Sequence, residues 1–377
     1  MDVQLSEEQE SLRIAARDFL VGECPMAWVR EQMEDPKDLG GALWKKMAEL
    51  GWLGLMVPEE HSGAELDLLS LSIVCEEMGR VLLPEPYLST VAVGANAILL
   101  AGSDDQKRKL LPEIVEGRLK IALAQLEASL DWAADGIELD AKLQGETWTL
   151  SGTKHFSSDA RHADRLLVPA RTSGSGESGI TLFLLETESP EISVVPLRYT
   201  DQTRDVCEVC LNDLQVGPEQ ILGEVDEGWP LLRRSLDIAK VALCAEMLGG
   251  AERVLELSVA YAKQREQFGK PIGSFQAIQH KCANQFIQVE GMRSAVYYAA
   301  WAVGHDEPDA HLSACLAKSF CGDAYVSVAG EGIQIHGGLG FTWEQDLHLF
   351  YKRAKSSQLL FGDGRFNREL AARALFD

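Results

Sequence analysis

The chain has 377 residues, long for one domain and suited to two or three at roughly 150 residues each. Its 35 basic and 58 acidic side chains leave a net charge of −23 with histidine neutral, a field that repels phosphate backbones, and no basic patch offsets it. A composition of 46% hydrophobic and 25% charged residues excludes a largely disordered chain, and no apolar run approaches the roughly 18 to 20 residues of a membrane span.

In chain order, the start MDVQLSEEQE lacks the basic opening and apolar core of a signal peptide, which predicts a soluble protein of the cytoplasm. Residues 1 to about 120 read as helices. Leu5-Ser6-Glu7-Glu8-Gln9 places an apolar residue before a Ser cap with Gln three later, and Ser103-Asp104-Asp105-Gln106 repeats that helix start. Between them, Trp44, Met47, Leu50 and Trp52 mark an amphipathic stretch, and a helix over Leu68–Met78 is stopped by Pro84 and Pro86.

From about 121 to 227 the texture changes to short β-rich runs: Ile121–Leu126, Thr147–Leu150, Arg165–Val168, Ile180–Leu185, Ile192–Val195 and Val206–Leu211. Turn clusters such as Thr172-Ser173-Gly174-Ser175-Gly176 separate them, and strands without intervening helices predict a compact barrel or sandwich. From about 228 to 377 the helical period returns: Cys282, Phe286, Val289, Met292, Val296, Ala300 and Val303 keep a 3–4 spacing, flanked by long runs over Leu231–Gln267 and Leu312–Val328. A shorter closing helix over Arg365–Leu375 completes an expected four-helix bundle. The fold class is therefore mainly α with a β domain: an N-terminal α-helical domain (1–120), a middle β-barrel domain (121–227) and a C-terminal four-helix bundle (228–377).

Eight cysteines in a chain this long do not make a disulfide scaffold, and Cys75, Cys244, Cys282 and Cys315 sit in apolar patterns as small hydrophobes. Cys207 and Cys210 are three apart on a strand and point to opposite faces, so no metal site is expected there. Two other stretches carry more. Tyr261–Gln276 ends one long helix and opens the next through Gly269, Pro271 and Gly273, a tight corner; Arg265 there either complements a helix dipole or, with Gln276, faces an anionic ligand. In Gly332–Phe341 a helix runs into a glycine-rich turn that serves either as a helix cap or as a close backbone approach to a ligand.

Together these stretches resemble the acyl-CoA dehydrogenase family over nearly the whole chain. The likeness rests on GWLGLMVPEEHSGA at Gly51–Ala64, GSDDQKRKLLPEI at Gly102–Ile114, YAKQREQFGKPIGSFQAIQH at Tyr261–His280 and QIHGGLGF at Gln334–Phe341, in the family's order of helical domain, β-barrel and four-helix bundle. The resemblance implies FAD held between two subunits. Arg265, Phe268 and Gln276 match the family's residues for the cofactor's adenine-diphosphate arm, and Gln334, Gly337 and Gly338 its glycine-turn contacts. Phe156 and Ser158 match the flavin-ring position, where Phe156 fits a barrel core equally well. The implied reaction is α,β-desaturation of an acyl-CoA thioester, with a carboxylate taking the α proton and the β hydrogen leaving as hydride. A soluble electron-carrier flavoprotein would be the partner, with no nucleic acid.

The pattern breaks at the base. The family's catalytic glutamate position falls on Phe361, and the other helix position some members use falls on Ala239. The threonine-glutamate-proline entrance to the β domain is replaced by Gln125-Leu126-Glu127-Ala128-Ser129-Leu130-Asp131, without proline or glycine. Asp363 is the first substitute for the base, though it also suits a helix cap; Glu246, a lone acid among apolar residues, is the alternative, though it also suits an ion pair. Two expectations follow: a dehydrogenase with an unorthodox base in a homo-oligomer, or a non-catalytic FAD-binding subunit in a heteromer with a glutamate-bearing homologue.

Overall fold

The computed structural model describes residues 5–36 and 39–376. The leader reading rests partly on residues 1–4, which lie outside the described residues. Six α-helices come first: α1 (Glu7–Glu23), α2 (Met26–Glu34), α3 (Ala42–Glu49), α4 (Leu68–Arg80), α5 (Asn96–Ala101) and α6 (Asp104–Val115). Eight strands follow: β1 (Ile121–Leu123), β2 (Ala141–Gln144), β3 (Thr147–Ser158), β4 (Arg165–Arg171), β5 (Ile180–Glu186), β6 (Ile192–Pro196), β7 (Val206–Val216) and β8 (Ile221–Leu222). The chain then forms α7 (Gly228–Gln264), the short pair β9 (Glu266–Gln267) and β10 (Lys270–Pro271), and α8 (Gln276–Gly304), α9 (Ala310–His336), α10 (Leu347–Leu359) and α11 (Gly364–Phe376). No helix among the described residues is long and apolar enough to cross a membrane.

Two compact units emerge. One comprises the described residues within 36–67 and 84–239, the other those within 1–35, 68–83 and 240–377. In the first, the expected barrel takes the form of two four-stranded sheets, β1-β4-β5-β8 and β2-β3-β7-β6, with no closed barrel among the described residues. Both sheets turn apolar side chains into one shared core. Leu150, Val209 and Leu211 enter from one sheet, Leu166, Val168 and Phe183 from the other, and Trp148 meets Phe183 edge-on at 6.3 Å. Cys207 and Cys210 are both free on β7, Cys207 buried and Cys210 half-buried.

Beside this core sits a buried carboxylate. Ser89 donates its hydroxyl to Asp159, which has a left-handed backbone (φ 61°) and is only 6% exposed. Burial pushes the Asp159 carboxyl up to about 6, against the pull of Ser89, Arg204 and His162 and with the push of Asp205. A raised carboxylate supports the fold below its ordinary pKa, and that support is lost as pH rises from about 4 through 6. Asp159→Asn, whose amide tolerates the left-handed backbone well, is therefore expected to raise stability at pH 7 by on the order of 2 kcal/mol. Thermal melts at pH 4 and pH 7 check this: the gain should shrink at the lower pH.

The second unit is helical. α4 and α7 cross so closely that a Cβ on Gly79 would stand 1.9 Å from the Glu246 carbonyl oxygen, and one on Gly249 1.7 Å from that of Glu76. Around the crossing, Glu76 and Glu77 are each 1% exposed and fully engaged. Arg293 reaches Glu76 at 2.6 Å and Glu252 at 2.7 Å, Arg17 reaches Glu77 at 2.7 Å, Arg80 bridges Glu252 and Glu256, and Tyr297 donates to Glu76 at 3.0 Å. This network ties α1, α4, α7 and α8 together with every buried carboxylate paired.

Candidate functional site

The end of α7 is built as a turn on a turn. After Gln264 the chain enters the β9–β10 hairpin, in which Lys270 pairs with Gln267 and Pro271 with Glu266. Its two loop residues, Phe268 (φ 54°) and Gly269 (φ 77°), both lie in the left-handed region, as a tight hairpin with the twist of its strands requires. The expected corner is thus a hairpin with Phe268 at its tip, 92% exposed. Arg265 fixes the hairpin base through its backbone: its N–H donates to Tyr261 O at 2.8 Å and its carbonyl accepts from Ile272 N at 2.7 Å. The guanidinium is exposed and makes no ion pair or hydrogen bond among the described residues. Gln276, exposed in the first turn of α8, is equally unengaged.

The glycine turn lies beside this hairpin. His336, at the end of α9, stacks on Tyr261 of α7 with ring centroids 4.2 Å apart and holds Gly332 O through Nδ1 at 2.8 Å. This pair brings Arg265 and Gly337 to one end of the helical unit. Sequence reasoning passed over both rings although they stand inside the quoted motifs. Gln334 is exposed in the last turn of α9, and Gly337 (φ 60°, ψ −136°) takes a conformation open to glycine. A Cβ on Gly337 or Gly338 would meet nothing within 4 Å, so this backbone is bare. A free guanidinium, two free amides and bare backbone suit an elongated anionic ligand.

In the β unit, Phe156 sits in an irregular stretch of β3, between the Lys154 and Ser157 pairings with β7, with φ 51°. It is 40% exposed and lies 6.5 Å from the Tyr199 ring, so it is not part of the β core. Ser158 is half-buried and paired with Val206. Two neighbouring polar atoms are buried without a partner: Ser157 Oγ and Gln125 Oε1. Buried acceptors of this kind are costly unless a ligand engages them, and both lie beside the positions matched to the flavin ring. Gln125 lies in the stretch that lacks the family's proline and glycine, and Ser157 stands between Phe156 and Ser158.

That loop is nevertheless firmly held. Lys154, fully buried, donates through Nζ to Glu127 Oε1 at 2.7 Å and to Pro169 O at 2.8 Å. The same Oε1 accepts the backbone N–H groups of Glu138 and Leu139 at 3.1 and 3.0 Å, and Gln125 Nε2 reaches Trp132 O at 3.0 Å. Burial lowers the Lys154 ammonium to about 8 against the opposing pull of Glu127.

Both expected base positions are apolar and buried: Phe361 is 4% exposed and Ala239 0%. Glu246 accepts from Arg353 Nη1 at 2.8 Å, and Arg353, 2% exposed, donates Nη2 to the carbonyls of Leu82 and Leu83 at 3.3 Å each. Asp363 is exposed and caps α11, its Oδ1 accepting Phe366 N–H at 2.7 Å. Asp363→Asn is expected to keep the cap, leaving both the melting temperature and the turnover of the assembled enzyme unchanged, whereas Asp363→Ala costs about 1 kcal/mol. Melts of both variants and a rate for Asp363→Asn check this; lost turnover in Asp363→Asn would make Asp363 the base.

Three family models match in succession: acyl-CoA dehydrogenase N-terminal domain over residues 6–118, middle domain over 121–214 and C-terminal domain over 226–376. An acyl-CoA dehydrogenase of Bacillus subtilis is 30% identical over 381 residues, covering 99% of each chain. Among solved structures, butyryl-CoA dehydrogenase from Megasphaera elsdenii superposes with a TM-score of 0.93 at 30% identity over 100% of both chains. A variant of the Tcur3481-Tcur3483 steroid ACAD superposes with a TM-score of 0.87 at 29% identity over 98% of both.

Proposed function

The chain belongs to the acyl-CoA dehydrogenase family, and from that membership we propose that it works in the FAD-dependent α,β-desaturation of an acyl-CoA thioester as the base-lacking, flavin-holding subunit of a heteromer. The observation that carries this reading is the contrast between two halves of the site. The ligand-facing set (Arg265, Phe268, Gln276, Gln334, Gly337, Gly338) is exposed and unspent, while Phe361 and Ala239 offer no proton acceptor and Asp363 and Glu246 are engaged elsewhere.

In this reading Arg265 neutralises the diphosphate of the FAD arm with Gln276 beside it, and the Gly337–Gly338 backbone lies against the same arm. Phe156 and Ser158 face the ring, with Ser157 Oγ and Gln125 Oε1 as further polar contacts. When bound, FAD supplies the acceptor for the β hydride. The α proton goes to a carboxylate brought by a glutamate-bearing homologue, and a soluble electron-carrier flavoprotein, in the cytoplasm, takes the electrons onward. The double designation of the Tcur3481-Tcur3483 steroid ACAD supports paired subunits as a working form of this fold.

A second reading keeps a single self-sufficient chain in a homo-oligomer with Asp363 as base, and its support is the position of Asp363 two residues beyond Phe361. The experiment is visible absorbance of the purified chain, alone and co-expressed with a glutamate-bearing homologue, before and after anaerobic acyl-CoA. The heteromer reading expects bleaching of the flavin only in the co-purified complex. Stoichiometric flavin that bleaches in the isolated chain would overturn it in favour of the second reading.

A further inference from the structure

The turn between α10 and α11 holds a residue where none should rest easily. Phe361 has φ 59° and Gly362 φ 88°, two left-handed residues in succession, the first carrying a large side chain. Such a backbone persists only where its surroundings over-determine it. Here two side chains do so, each with no exposed surface. Lys318 of α9 donates through Nζ to Gln358 O at 3.0 Å and to Gly362 O at 2.9 Å. Asn367 of α11 donates through Nδ2 to the carbonyls of Phe361, Gly362 and Asp363 at 3.3, 2.9 and 3.0 Å. Ser319, next to Lys318, donates its hydroxyl to Gly364 O at 3.1 Å. A helix C-terminus and the turn after it leave carbonyls without partners, and a buried ammonium is an expensive way to satisfy them when a cap or water would do. Burial lowers Lys318 to about 8, and the neutral amine still donates to both carbonyls, so the clamp does not depend on its charge.

We infer that Lys318 and Asn367 are positioning residues, a clamp that presents the side chain at position 361 toward the reacting thioester. The inference rests on the reading above, in which position 361 is where the family's catalytic glutamate falls. The chain has kept the scaffold of a catalytic turn while its side chain is no longer a base. One substitution, Phe361→Glu, should then place a carboxylate already oriented for proton abstraction.

The test compares the flavin-loaded complex carrying Phe361→Glu with and without Lys318→Met. Phe361→Glu in this chain should add acyl-CoA-dependent flavin bleaching above that of the parent complex, and adding Lys318→Met should lower the added kcat at least tenfold with KM and flavin content unchanged. An added kcat that Lys318→Met leaves intact overturns the clamp and leaves the family reading standing. Hydrogen exchange of the Leu360–Asp363 amides separates the two ideas. In Lys318→Met these amides should exchange at least tenfold faster than in the parent while the melting temperature stays within a few degrees. Unchanged local exchange overturns the clamp. Fast local exchange together with no gain from Phe361→Glu keeps the clamp's grip on the backbone but overturns its orientation toward substrate, and with it this inference. If Lys318→Met does not fold, Asn367→Ser carries the same comparisons.

Discussion

Lys154→Met is expected to lower stability by about 3–5 kcal/mol and to strip bound flavin, because it leaves Glu127 as an unpaired buried charge. The Lys154 ammonium joins three segments of the β unit: β3, on which it sits, the Gln125–Asp131 loop through Glu127, and β4 through Pro169 O. Glu127 in turn holds the backbone at Glu138 and Leu139, so an unpaired carboxylate would pull away from its N–H donors toward water. The loop that frees is the one carrying Gln125 Oε1, one of the two orphaned acceptors beside the ring position. The measurement is a denaturant melt of Lys154→Met and of Lys154→Met/Glu127→Gln. Removing the stranded charge in the double variant should recover part of the loss, and an additive double variant would show that the pair does not couple. Flavin content after gel filtration reports the second half of the expectation.

Arg353→Met is expected to cost a similar 3–5 kcal/mol, in the helical unit. Arg353 joins α10 to α7, through Glu246, and to the chain after α4, through the Leu82 and Leu83 carbonyls, in a single buried group. Its removal takes a charged donor away from the Glu246 carboxylate and from both carbonyls. Glu246→Gln should be far milder, since the amide oxygen still accepts from Arg353. This pair of variants also tests Glu246 as an alternative base: Glu246→Gln with unchanged turnover in the complex assigns the residue to structure. Equal losses in the two variants would show that the ion pair, and not the carbonyl anchoring, dominates.

The sequence conveyed the fold wherever one physical signal stood alone. Ser6 with Gln9 and Ser103 with Gln106 form the reciprocal capping boxes their spacing implied. Strands with continuous apolar runs, such as Ile180–Glu186, were legible from composition. The alternation predicts a strand only over Thr147–Leu150, but β3 extends to Ser158, since breaks in its pairing at Leu150/Gly152 and Lys154/Ser157 disturb the pattern that marks a strand. α10 escaped notice because its buried face includes Arg353, Ser356 and Ser357, whose burial depends on distant partners that no local window contains. Phe286 kept the helical spacing of a core residue yet is 57% exposed on α8, since periodicity assigns a face to a helix but does not say what covers it.

The site divides along the same line. Residues whose role lies in exposure and backbone shape (Phe268, Gly337, Gly338) could be singled out from their motifs. Those whose role lies in pairing could not: Glu127 with Lys154, Tyr261 with His336 and Lys318 with the Phe361 turn are separated by 27, 75 and more than 40 residues, and only the folded chain brings them together.

The β9–β10 hairpin has a thermodynamic consequence. A long surface aromatic normally forfeits conformational freedom when a partner covers it, and a flexible loop forfeits more. Here most of that freedom is already gone before any encounter, because the tip residues are committed to left-handed backbone and the strands flanking them are cross-paired. Whatever surface closes over Phe268 therefore meets an ordered ring, and the hydrophobic gain of burying it is offset by little loss of entropy. A Gly269→Val change, which disfavours that tip geometry without touching the ring, should weaken the association chiefly through its entropy term.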